Sequence, residues 1–218
     1  MSLFKGEGIA AKGLDLQART APVVPGNCEL WNDANQAGML GYVNGQNVSP
    51  VFQFYRSVTP VAMTGANSPN TLMTAPLSIS LANAVGKTLR VFGAGTYNTN
   101  AAGTPTVTIA VAVGGVNVLS WTSGATTGGQ SNMPWELEGY VTFANYGANA
   151  NVEAHGNLSV TLGSSAGGAT TAYLDTNSAV SANINAQANT NVAVLASVNV
   201  ANASVVVNQR LLSVEICN

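Results

Sequence analysis

Few residues in this chain could do chemistry, and those few are easily surveyed. His155 is the single imidazole, flanked by Glu153 and Gly156 at the start of an alternating run. A lone histidine serves a nucleophile only with partners brought by folding, so it is expected at a surface or an interface. Glu136 and Glu138 stand two apart, and on a strand that spacing puts both carboxylates on one face. A carboxylate pair flanked by Trp135 and Tyr140 could straddle a glycosidic bond. Trp135 has the opposite parity, however, so it is expected to point away from the glutamates. Asp175 stands alone and offers no calcium cluster. Neither Gly6-x-Gly8 nor Gly93-x-Gly95 is read as a dinucleotide fingerprint, and no phosphate loop is present. The expectation is a protein without catalysis, metal or cofactor.

Composition points the same way. The 218 residues hold 7 Lys+Arg and 9 Asp+Glu, so 7% of the chain is charged, with a net charge of −2. An ordinary soluble domain has about 25% charged residues, so much of this surface is expected to lie against other subunits. No basic excess exists to drive nucleic-acid binding, and the cations are not interleaved with aromatics. No window reaches the ~18 consecutive apolar residues of a membrane helix. The start lacks the apolar core of a secretory signal, because Glu7 and Asp15 interrupt it. A protein made in the cytoplasm, binding neither nucleic acid nor membrane, is the expectation. Cys28 and Cys217 form no disulfide framework.

The elements that position these residues divide into an arm and a body. Residues 1–60 hold half the charges: Lys5, Glu7, Lys12, Asp15, Arg19, Glu29, Asp33 and Arg56. Glycines and prolines punctuate them without a sustained period. Large apolar groups, among them Phe4, Leu14, Trp31, Phe52, Phe54 and Tyr55, are too many for a free linker. The segment reads as an extended arm lying on a partner, with a small hairpin near 29–45 and a turn at Asn44-Gly45.

From about residue 72 the pattern is β throughout. Leu77, Ile79 and Leu81 alternate with serines, and Val107, Ile109, Val111 and Val113 with threonines and alanines. Trp135, Leu137, Val141 and Phe143 share one parity. Leu158 and Val160, then Val192 and Val194, and then Leu212, Val214 and Ile216 repeat the arrangement. Period two with one apolar face means sheets packed on one side. About eight to ten strands of five to ten residues are expected over 61–218, with no amphipathic helix. The fold class is all-β, an antiparallel β-sandwich of jelly-roll type. The Asn/Ala/Val stretch from Ser178 to Asn208 and the charge-free run from Val91 to Trp135 suit contact with further copies.

One segment carries a resemblance. Pro25-Gly26-Asn27-Cys28-Glu29-Leu30-Trp31-Asn32-Asp33, followed by Leu40-Gly41-Tyr42-Val43-Asn44-Gly45, resembles a docking hairpin of tailed-bacteriophage structural proteins. There a Pro/Gly approach, Glu-Leu-Trp-x-Asp and a later Tyr-x-Asn/Asp-Gly turn precede a β domain; Cys28 stands here where glycine is frequent. The whole chain, an apolar arm before a charge-poor jelly roll, is similar to the cement, or head-decoration, proteins of phage capsids. That resemblance implies a homotrimer on the outer surface of the virion, with arms running over neighbouring subunits of the major capsid protein. The implied capsid-binding residues are Phe4, Lys5, Lys12, Arg19, Trp31, Phe52, Tyr55 and Arg56. The competing reading is a tail-fibre or receptor-binding head contacting a host surface glycan or protein. Further alternatives are a depolymerase using Glu136 and Glu138, and a carbohydrate-binding or adhesin module.

Overall fold

The structure, a computed structural model, describes residues 18–19, 29–33, 38–43, 46–48, 52–77, 85–99, 103–165 and 168–217. Two compact units emerge: Met1–Phe52 together with Asn218, and Gln53–Cys217.

The first unit holds four short strands: β1 (Ala18–Arg19), β2 (Glu29–Asp33), β3 (Gly38–Val43) and β4 (Gln46–Val48), in the sheet order β1-β2-β3-β4. β2 and β3 are antiparallel, with Trp31 opposite Leu40, and β1 lies parallel to β2. β3 and β4 pair with Val43 opposite Gln46. The turn expected at Asn44-Gly45 lies outside the described residues.

The second unit is an antiparallel β-sandwich of jelly-roll type, with no helix among the described residues. Its strands are β5 (Phe52–Ser57), β6 (Val61–Thr64), β7 (Asn70–Leu77), β8 (Thr88–Asn98), β9 (Val107–Val113), β10 (Val116–Thr122), β11 (Met133–Phe143), β12 (Ala150–Ser165), β13 (Gly168–Ile184), β14 (Thr190–Val198) and β15 (Val206–Cys217). One sheet has the order β10-β9-β14-β7. The larger has the order β13-β12-β11-β8-β15-β5, with β6 also on β15. The chain crosses between sheets at β6–β7, β7–β8, β8–β9, β10–β11, β13–β14 and β14–β15, so strands that pair are mostly not sequence neighbours. β5 joins β15 by hydrogen bonds, and so the strand around Tyr55, read from sequence as arm, belongs to the sheet. Two strands are longer than sequence suggested: β12 has 16 residues and β13 has 17. Part of the alternation at Leu77–Leu81 lies beyond β7, outside the described residues.

Both sheets turn their apolar parity inward onto one core that includes Leu89, Val91, Ile109, Val111, Leu137 and Val214. Two glycine notches let large side chains cross the interior. Gly139 pairs with Gly156 across β11 and β12, and Leu119 and Trp121 of the facing sheet pack onto them. A Cβ on Gly156 would stand 2.5 Å from the Glu138 carbonyl oxygen and 3.1 Å from the Trp121 ring. On β8, a Cβ on Gly95 would stand 2.7 Å from the Trp135 ring. Of the Gly93-x-Gly95 pair, Gly95 thus makes room for an indole, while Gly93 lies against Leu137 and Gln209.

The body closes its own core, so residues 53–218 should fold without the preceding unit. Circular dichroism of that fragment should show β structure and a cooperative melt. An insoluble or unfolded fragment would mean that the first unit completes the sandwich.

Candidate functional site

Strand register brings the body's carboxylates to one place. On β11, Trp135, Leu137, Val141 and Phe143 are buried, which turns Glu136, Glu138 and Tyr140 outward. Antiparallel pairing sets Tyr140 between His155 of β12 and Arg90 of β8, and Arg90 beside Glu215 of β15. Glu153 and Asp175 lie on the same outer face. All five body carboxylates therefore share one face of the larger sheet. The strands of the smaller sheet contain no ionisable Asp, Glu, Lys, Arg or His. Its outer side is built from threonine, alanine, serine and asparagine, with a neutral groove of about 520 Å³ lined in part by Thr71, Thr74, Thr190 and Leu195. The sandwich has one anionic face and one face without charge.

The centre of the anionic face is tied down. Arg90 donates from Nε to Glu138 Oε1 at 2.6 Å and from Nη1 to Glu215 Oε2 at 3.1 Å. Tyr140 donates its hydroxyl to the same Glu138 oxygen at 2.9 Å. The Tyr140 and His155 rings stack with centroids 5.0 Å apart and planes 12° apart. The Arg90 hydrogen bond holds the Glu138 carboxyl below the usual carboxylate range, against a smaller opposing effect of burial. The Glu138 carboxylate in turn raises the Tyr140 hydroxyl.

A general acid for glycoside cleavage needs a raised pKa, and Glu138 is shifted the other way. Trp135, 2% exposed, donates its indole N–H inward to the Asn208 carbonyl at 3.2 Å. It forms no aromatic wall beside the glutamates. Among the described residues no three His, Cys, Asp or Glu side chains converge as metal ligands. A Gly-x-Ser-x-Gly spacing does occur at residues 163–167, but Ser165 ends β12 opposite Gly168 in a hairpin, not in a strand-to-helix elbow. His155 is ten residues back along the same strand, roughly 33 Å away at strand rise. What the cluster can do is stiffen the sheet and present negative charge.

The bridge gives a pH prediction. The folded-state pKa of Glu138 lies below its unfolded value, so the bridge stabilises the fold above the unfolded carboxylate range. That contribution is lost as pH falls through the folded value. Because the Arg90 and Glu138 side chains are 38% and 29% exposed, the effect is screened to at most about 1 kcal/mol. Glu138→Gln should lower the melting temperature slightly at pH 7 and by less at pH 2.5. Equal losses at both values would count against an ion-pair role.

The arm positions fall as follows. Phe4, Lys5 and Lys12 lie outside the described residues. Arg19 ends β1, Trp31 is central in β2, and Phe52 begins β5. Tyr55 packs half-buried against the body core, while Arg56 is exposed on the same strand. Sequence reasoning did not find Arg90 as the hub of the charged cluster. Its signal was only an outward parity on β8, and its two partners lie 48 and 125 residues away in the chain.

No family model matches the chain, and no curated protein matches it. Among solved structures, it is similar to the CBM2 module of the evolved Dit of Lactobacillus casei BL23 phage J-1. That match has 13% identity and a TM-score of 0.31, over 84% of this chain and 82% of that one. The infectious bursal disease virus Gt strain structure matches at 11% identity and a TM-score of 0.34, over 86% of this chain and 41% of that one. The VP2 subviral particle of infectious bursal disease virus matches at 15% identity and a TM-score of 0.26, over 89% of this chain and 49% of that one. Overlap at TM-scores this low does not establish a common fold.

Proposed function

We propose that this chain is a non-enzymatic virion structural protein that binds the outer surface of a tailed-phage capsid. In this reading it is a homotrimer that clamps neighbouring subunits of the major capsid protein against the pressure of packaged DNA. The observation that carries the reading is that residues 1–52 form a compact strand unit of their own. That unit bears the Glu29-Leu30-Trp31-Asn32-Asp33 segment on β2 of an antiparallel pair. A docking hairpin outside the main core can engage a partner without disturbing the sandwich.

A clamp needs binding free energy across a seam, not turnover. A single standard interface buries about 1,600 Å², and three arms on one trimer raise the effective concentration of each. Trp31 supplies the kind of anchor that dominates interface energetics. Phe4, Phe52 and Tyr55 would add apolar contacts, and Lys5, Lys12, Arg19 and Arg56 would meet acidic groups of the shell. The uncharged face of the smaller sheet is the surface best suited to subunit packing, since it exposes no ion that would need desolvation.

The tail-fibre reading has one observation in its favour. Tyr173 is 78% exposed on the anionic face, where a receptor could reach it. Stoichiometry separates the two readings. In purified virions, a cement protein should stand in a simple fixed ratio to the major capsid protein and follow empty heads through fractionation. Recovery only with tails, in trace amount, would favour the fibre.

A further inference from the structure

The four edges of the body sandwich are not alike, and β13, between two register shifts of its own, presents the longest uninterrupted one. A sheet edge offers a row of unpaired backbone N–H and C=O groups, which proteins normally guard with bulges, proline, charge or shortness. β7 carries Pro76 and a register shift opposite Val194/Leu195. β10 carries a register shift between Asn117 and Leu119. β5 has 6 residues and includes the exposed Arg56. β13 is the longest strand, at 17 residues, and it ends the larger sheet. It contains no proline and no lysine, and Asp175 is its single charge. From Thr171 to Val180 it pairs with β12 without interruption, opposite Thr161 to Val152.

We infer that β13 is a docking edge for the β13 of a second copy, joined antiparallel about a two-fold axis so that one sheet runs through both molecules. The register follows from geometry. Residues i and j that face each other must lie on the same side of the sheet, so i and j share parity. Two centres, Asp175 and Thr176, pair the most residues of the uninterrupted stretch, nine each. Centring on Asp175 would set two carboxylates directly opposite, a destabilising cross-strand pair. Centring on Thr176 sets Asp175 opposite Asn177 and Tyr173 opposite Ala179, with no like charges facing. Nine residues, 172–180, pair with their counterparts. Asp175 is the single charge along 172–180, and the Thr176-centred register keeps it from facing its own copy, so a second copy fits this edge without a directly opposed charged pair. The contact is two-fold, so it is distinct from the three-fold contact of the trimer proposed above, and it stands independently of the capsid reading.

The test is register-specific cross-linking of the full chain carrying Cys28→Ser and Cys217→Ser. At about 100 µM, a contact with a micromolar Kd is well populated. Thr176→Cys places its sulfur on the axis, where facing Cα atoms are about 4.5–5.5 Å apart and a disulfide can close. Thr171→Cys places the two sulfurs roughly 33 Å apart. Mild oxidation should give a covalent dimer with Thr176→Cys and none with Thr171→Cys, and both variants should melt with the parent. Asp175→Asn should tighten association about two- to three-fold by removing a diagonal carboxylate pair. In addition, amides of 172–180 should exchange more slowly in concentrated than in dilute solution. No dimer with Thr176→Cys, equal dimer with both cysteines, or exchange independent of concentration would overturn the inference.

Discussion

Gln209→Leu should destabilise the body by about 2 kcal/mol, because it would leave one buried and one half-buried backbone group without its side-chain partner. Gln209 is fully buried, with no exposed surface. Its Oε1 accepts from the Met73 backbone N–H at 3.1 Å, and its Nε2 donates to the Leu211 carbonyl at 3.0 Å. Met73 belongs to the smaller sheet and Leu211 to the larger, so one amide ties the two together. It does so where β15 shifts register between Gln209 and Leu211. Leucine has nearly the same volume, so the loss would come from hydrogen bonding and not from a cavity. Urea unfolding of the variant should show a lower midpoint at an unchanged slope. A change within about 0.5 kcal/mol would mean that water or a shifted strand satisfies both groups. Tyr97→Phe is the smaller companion case. The Tyr97 hydroxyl donates to the Thr161 carbonyl, and burial pushes its pKa up to about 12.

Trp31→Ala should weaken attachment to capsids by about 30-fold, since a buried tryptophan anchor contributes ~2 kcal/mol or more at an interface. Lys12→Ala should change it by less than about five-fold, because exposed ion pairs contribute only ~0–1 kcal/mol and are screened by salt. Trp31 sits at the middle of β2, opposite Leu40, so its loss could also loosen the hairpin. Trp31→Phe separates the effects: it keeps an apolar ring on the strand and should recover part of the binding. A larger effect from Lys12 than from Trp31 would point to electrostatic docking instead.

Much of the body was legible because one physical rule governs it. Strict alternation marks a strand with one buried face, and β11 follows it, while β9 keeps the alternation in residue type although nearly all of its residues are buried. The inward direction of Trp135 followed from parity alone. β13 was harder, because its Ala, Asn, Ser and Thr residues carry little hydrophobic contrast and weak strand preference. Its length comes from pairing along β12, which is tertiary information. Tyr55 was placed in the arm because the strand that joins β15 is only six residues long and is bracketed by Pro50 and Pro60. The Arg90 bridge and the Gln209 tie depend on register between segments far apart in sequence. No local pattern encodes which strands become neighbours when the chain crosses repeatedly between two sheets. The glycines at 93 and 95 were visible as a spacing, but the purpose of Gly95 needed the Trp135 ring that fills its notch.

The central claim is that the first unit attaches this protein to a capsid. The most direct measurement is rebinding to purified heads stripped of the protein, comparing the full chain with residues 53–218 and reading bound protein by gel densitometry. The full chain should saturate the heads and survive moderate salt, while the truncated body should bind at background level. Equal binding by the truncated body would contradict the clamp mechanism and move the receptor-binding reading ahead.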